Sequence, residues 1–173
     1  MSALCDTFEQ TIADAVQASI CETFTTMIGQ DITLTRQGPL QLSLEDAAAR
    51  FNQPQAPDGQ MTVVVGLSGD LQGSVSVCMH HEAAFEWTKQ LIDHETDQID
   101  QTVVDALGEL GNMVVGGAKG RIQDCQLRLG LPSVLLTGRN HLAFPTQYSP
   151  MELQFEFGDW CVDVFIALVK STS

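Results

Sequence analysis

The chain has 173 residues and a mass of 18.8 kDa. That is enough for one core and cramped for two, so a single domain over residues 1–173 is expected. Hydrophobic residues at 44% and charged residues at 17% exclude a disordered or fibrous chain, and a net charge of −14 argues against binding nucleic acid or an anionic membrane surface.

Met1 to Glu9 carries Asp6 and Glu9 and has no basic start before an apolar run, so no secretory leader is expected. Residues 3–29 predict a helix. Phe8, Ile12, Ala15, Val16, Ser19, Ile20, Phe24 and Met27 recur every three or four residues, and Gly29 is a stop. Residues 31–42 predict a short strand and turn. Ser43-Leu44-Glu45-Asp46 resembles a capping box that opens a brief helix to Arg50. Residues 52–60, with Pro54, Pro57 and Asp58-Gly59, predict a loop.

Residues 61–79 predict a hairpin whose turn glycines lie between Ser68 and Gly73. Residues 81–92 predict a helix with Ala84, Phe85, Thr88, Leu91 and Ile92 on one side. An acidic stretch, 93–100, leads into a long helical pattern over 99–124. Strands follow at 134–136, 142–144, 153–157 and 161–169, with Gly158-Asp159 turning the last hairpin. Paired antiparallel strands interleaved with helices predict an α+β fold, helices packed on a mainly antiparallel sheet. No apolar run approaches the ~20 residues of a membrane span. Five widely spaced cysteines without a Cys-x-x-Cys pair fit reduced thiols in the cytoplasm, some of them in the core.

The helix after residue 100 is unusual. At about 100° per residue, Val103, Val104, Leu107, Leu110, Val114 and Ala118 share a core side. Asp105, Glu109, Asn112 and Gly116 fall opposite, at i, i+4, i+7 and i+11, as one polar stripe. Alone, such a stripe is an ordinary solvated face. Gly108, Gly111, Gly116, Gly117 and Gly120 change that reading, because each costs about 1 kcal/mol against Ala in a helix. Gly111 reads as close packing on the sheet. Gly108 and Gly116 flank the stripe, where the missing side chains admit another surface.

Asp105-Ala-Leu-Gly-Glu109-Leu-Gly-Asn112-Met-Val-Val-Gly116 resembles the signature of the CheC/CheX/FliY family of chemotaxis phosphatases. So do Gly66-Leu-Ser-Gly-Asp-Leu-Gln-Gly73-Ser74 and Pro132-Ser-Val-Leu-Leu-Thr-Gly138-Arg139, and the likeness to CheX spans residues 16–168. Two departures stand out. Nineteen residues separate Asn112 from Pro132, fewer than the family pattern, and residues 36–60 are longer. On the first helix, Ser19, Glu22 and Thr25 are placed like a second copy of the motif, with Thr where Asn belongs, so one active site is expected.

The resemblance implies hydrolysis of the aspartyl phosphate on a CheY-like response regulator. Phosphoryl transfer asks mainly for positioning and charge stabilisation. The receiver supplies Mg²⁺ and Lys, so no cofactor of this chain's own is expected. Asn112 is expected to orient the water: its carbonyl accepts a water proton, its NH₂ donates, and it stays neutral beside a dianion. Glu109 is expected to pair with the receiver Lys. Asp105, Gly108 and Gly116 are expected at the docking rim. A non-catalytic adaptor for a response regulator or flagellar switch component is the alternative.

His80, His81 and His94 suggest a metal site, but His80 and His81 are expected to point apart, so no metal is expected. Trp87 and Trp160 read as core or interface anchors. The apolar strand 161–169 is read as central in the sheet. Were it or a neighbour an edge, it could join sheets in a homodimer, which the resemblance also implies.

Overall fold

The computed structural model describes residues 2–40, 59–123, 125–137, 142–145 and 148–171. In chain order the elements are α1 (Ser2–Ile28), β1 (Thr33–Pro39), β2 (Gln60–Gly69), β3 (Leu71–His80), α2 (His81–Ile92), α3 (Gln101–Arg121), β4 (Leu127–Leu129), β5 (Ser133–Leu135), β6 (Met151–Phe157) and β7 (Trp160–Lys170). The strands form one sheet in the order β1-β6-β7-β3-β2-β4, with β5 also paired to β2. Every described pairing is antiparallel. With the helices packed on it, this is the α+β fold that the sequence predicts.

The period-two side chains of the sheet meet the period-three-and-four side chains of the helices. Val63, Val65, Val75, Val77, Val162 and Val164 are buried from the sheet, and Ile12, Val16, Ile20 and Phe24 from α1. Trp87 of α2 is fully buried. Its ring centroid lies 4.9 Å from that of Phe24, whose ring meets Phe157 edge-on at 5.1 Å. The indole Nε1 donates to the Ala106 carbonyl at 3.2 Å, which joins α2 to α3. Trp87 is thus a core anchor.

The β2–β3 glycines have a steric cause. Gly73 has φ +138°, and a Cβ there would lie 1.9 Å from the Ala167 carbonyl oxygen on β7. Gly69 has φ +116°, and its Cβ would lie 2.1 Å from the Gln126 oxygen. Asp70 completes the corner: its carboxylate accepts from Gln126 N at 2.7 Å, and its carbonyl accepts from Ser171 N at 2.9 Å.

Several expectations are corrected. Met27 and Ile92 are 42% and 54% exposed, since the last turns of α1 and α2 run past the core. Residues 142–144 form no strand. Pro145 lacks an amide for a ladder, and its carbonyl accepts from Tyr148 N at 3.0 Å. β4 was not legible, because three residues show no alternation. β7, by contrast, is central as its two apolar faces predict, paired with β6 and β3 along both sides, so it has no free edge for a second copy. β1 at one side, and β4 and β5 at the other, are the outer strands. The helix expected over 43–50, residues 52–58 of the loop expected over 52–60, and Gly138-Arg139 lie outside the described residues, and Gln60 already belongs to β2.

Candidate active site

α3 begins at Asp100, whose Oδ1 accepts the Val103 amide at 2.9 Å. The other oxygen, Oδ2, is 2.8 Å from His94 Nε2, which donates to it. Lys119 and Arg121 occupy the last turn, where cations offset the helix dipole. The helix is shorter at both ends than the 99–124 pattern, because Asp100 caps it and Ile122 turns to extended backbone.

The Asp100 carboxyl is held below its ordinary value near 3.8, first by the Val103 amide and next by His94. A depressed folded value contributes stability that is complete above the unfolded value and is lost as the pH falls through the folded one. The unfolding temperature is therefore expected to drop below about pH 4, and Asp100→Asn, which keeps a capping oxygen, should flatten that acid limb. A melting series against pH reads this directly. Identical acid limbs in both proteins would assign the loss to other carboxylates.

One face of α3 is buried through Val103, Ala106, Leu107, Leu110, Val114, Val115 and Ala118. The face is broader than predicted, taking in Ala106 and Val115, while Val104 is only half-buried. Gly111 lets this face sit down on the sheet: a Cβ would lie 2.7 Å from Val63 Cγ2 and 3.1 Å from Val65 Cγ2. Gly117 does the same for the α1 crossing, where its Cβ would lie 2.3 Å from Ser19 Oγ. That hydroxyl is buried and donates to the Val114 carbonyl at 2.7 Å.

Opposite lies the expected stripe. Asp105 and Glu109 are exposed, and Asn112 and Gly116 half-buried. Residues three and four apart on a helix place their Cβ atoms about 5–6 Å from each other, so Glu109 and Asn112 can act on one small target. Among the described residues, no hydrogen bond or ion pair engages either side chain. Asp105 is partly occupied, its Oδ1 accepting from Gln101 Nε2 at 2.8 Å. The two flanking glycines are open. A Cβ at Gly116 meets nothing within 4 Å, and one at Gly108 meets only Pro132 Cγ at 3.7 Å.

Pro132 therefore stands at the edge of the stripe, although nineteen residues separate it from Asn112. Around it the chain exposes Leu131 (91%) just before Pro132, Leu135 (41%) at the end of β5 and Leu136 (63%) just after it. Their exposure was not foreseen, since Leu135 and Leu136 were expected only as part of a strand over 134–136. The arrangement offers an acceptor anion, a neutral carboxamide one turn on, and bare backbone beside both.

The motif-like copy on α1 is closed. Ser19 is spent on α3, Glu22 is held by the Arg121 guanidinium, and the single Thr25 hydroxyl proton is shared between Cys21 O at 3.0 Å and Asp31 Oδ1 at 2.9 Å. Arg121 thus does more than offset the dipole. No disulfide joins Cys21, Cys78, Cys125 or Cys161. His80 and His81 do not point apart: their ring centroids are 4.2 Å from each other, because the chain passes from strand to helix between them.

Comparison with known proteins agrees on the fold. A family model described as chemotaxis phosphatase CheX matches residues 61–156, more than half of the chain. A CheC-like superfamily protein from Shewanella sp. PV-4 superposes with a TM-score of 0.76 at 20% identity, covering 92% of this chain and 97% of that one. Chemotaxis protein CheX from Desulfovibrio desulfuricans gives 0.72 at 19%, covering 92% and 99%. A CheX–CheY–BeF₃–Mg²⁺ complex from Borrelia burgdorferi gives 0.69 at 20%, covering 93% and 97%. No curated protein sequence matches the chain. Among the described residues, no helix is long and apolar enough to cross a membrane.

Proposed function

The chain belongs to the CheX family of chemotaxis phosphatases, and from that premise we propose that it hydrolyses the aspartyl phosphate of a CheY-like receiver on the exposed stripe of α3. The observation that carries this reading is the Glu109–Asn112 pair, without a hydrogen-bond or ion-pair partner among the described residues and flanked by Gly116, whose Cβ position is open, and by Gly108, whose Cβ position meets only Pro132 Cγ at 3.7 Å.

The chemistry assigned to each residue follows from its type. The receiver brings its phosphorylated Asp, a Mg²⁺ and a Lys as parts of the substrate, and a CheX–CheY complex with BeF₃ and Mg²⁺ is among the similar structures. Water attacks phosphorus and the P–O bond to the aspartyl carboxylate breaks, which leaves aspartate and inorganic phosphate. Asn112 accepts a hydrogen bond from the attacking water and donates its NH₂ to a phosphoryl oxygen. Being uncharged, it approaches the dianion without repulsion. Glu109 pairs with the receiver Lys and sets the register of docking. Asp105 is a rim contact, and Gly108 and Gly116 let the receiver backbone come close.

Glu109 and Asn112 should separate kinetically. Glu109→Ala is expected to raise KM for the phosphorylated receiver with a smaller change in kcat, and Glu109→Lys to be worse, since it places like charges together. Steady-state phosphate release over a range of receiver concentrations measures both. Equal and unrecoverable kcat losses at Glu109 and Asn112 would move Glu109 from docking to chemistry. Phosphate release with and without the chain also separates this reading from an adaptor that binds without hydrolysis.

The same reading takes residues 1–173 as one domain working in the cytoplasm as a homodimer. With β7 central, the outer strands β1, β4 and β5 are the available edges for sheet pairing, and of these β1 lies at the opposite side of the sheet from β5. Light scattering of the purified chain tests the dimer. A mass of one chain that does not change on concentration would remove it without touching the phosphatase assignment.

A further inference from the structure

We propose that His80, His81 and Glu82, at the junction of β3 and α2, form a binding site for a divalent transition cation of the zinc class. Each residue offers one ligand atom, and the three atoms lie within 4.8 Å of one another. Both imidazoles are half-buried and the carboxylate is exposed, so the cluster is open to a cation from solvent. Ligands about 2.0–2.1 Å from a tetrahedral zinc sit about 3.3 Å apart. Glu82 Oε2 already lies 3.6 Å from His80 Nδ1, close to that spacing.

The surroundings prepare the site. His81 Nδ1 donates to the Gly59 carbonyl at 2.7 Å, which fixes the ring and leaves Nε2 as the nitrogen with a free lone pair for a cation. A backbone carbonyl behind a ligating imidazole is the usual support for a metal-bound histidine. The ring of Phe85 meets His81 edge-on at 5.4 Å and 66°, limiting its rotation from a second side. Gly59, at φ +67°, makes the room: a Cβ there would lie 2.6 Å from His80 Nε2 and 3.0 Å from His81 Nδ1. A helix N-terminus repels a cation, and Glu82 in the first turn of α2 together with the net charge of −14 offsets that repulsion.

Two imidazoles and one carboxylate select zinc, nickel or copper over magnesium or calcium, which take oxygen donors. The remaining coordination positions fall to water. A bound cation ties the start of β2, the end of β3 and the first turn of α2 together. The site lies off the α3 stripe and needs no phosphatase activity to be detected.

Zinc titration of the chelator-stripped full chain, followed by calorimetry and by the unfolding temperature, tests the proposal. One saturable equivalent and a rise in unfolding temperature are expected. His81→Ala and His80→Ala should each weaken binding by about tenfold or more, while His94→Ala should leave it unchanged. Glu82→Gln, at an exposed position, serves where a histidine variant fails to fold. Cobalt loading should show no sulfur-to-metal charge transfer, which separates this site from the cysteines. Absence of saturable binding, undiminished binding in the His80→Ala/His81→Ala double variant, or a thiolate spectrum would each overturn the site.

Discussion

Asn112→Ala is expected to slow phosphate release from a phosphorylated receiver on the order of a hundredfold, the cost of deleting one preorganised hydrogen-bonding group at a developing charge. The fold should hardly notice. Asn112 is half-exposed and, among the described residues, makes no hydrogen bond or ion pair, so the change in stability should stay within about 0.5 kcal/mol. Alanine is also the better helix former. The loss should appear in kcat and persist at saturating receiver, because the group acts in the transition state and not in docking. Asn112→Asp is the sharper control. It keeps the shape but brings a second negative charge against the phosphoryl group, and it should do no better than alanine. An Asn112→Ala protein that turns over a verified receiver at the wild-type rate would end the assignment.

The stripe was legible in the sequence for a physical reason. A helix of known period fixes which residues share a face, so Asp105, Glu109, Asn112 and Gly116 could be placed together before any coordinates. The hairpin glycines were legible too, since Gly69 and Gly73 take backbone angles that other residues rarely adopt. What could not be read depended on contacts distant in sequence. Pro132 beside Gly108 is one case, Arg121 holding Glu22 another. Whether 161–169 was central or an edge rested on its apolar character on both faces, and the register with β3 and β6 shows it central. The pair His80 and His81 failed for a local reason. Adjacent side chains diverge within a strand or within a helix, but this pair straddles the change from one to the other, with His80 at φ −66° and ψ 147° as the helix cap.

The glycines of α3 yield the second large effect, because the same substitution should have opposite consequences five residues apart. Gly116→Leu adds a side chain where a Cβ meets nothing within 4 Å. Helix propensity then favours the variant by roughly 0.5–1 kcal/mol, and the unfolding temperature should rise slightly. The leucine projects from the stripe beside Asn112, however, and holds the receiver away. A displacement of about 1 Å at a reacting centre can cost around a hundredfold, so kcat/KM should fall by that order in a protein that is more stable than the parent. Gly111→Leu reverses this. Its Cβ would lie 2.7 Å from Val63 Cγ2, a branched side chain on a buried strand that cannot swing aside. Overpacking there should cost about 3 kcal/mol, well beyond the propensity gain. Melting curves and phosphate release measured on both variants decide the matter. A Gly116→Leu protein with undiminished activity would show that the receiver does not dock on this face of α3, and the whole placement of the site would have to move.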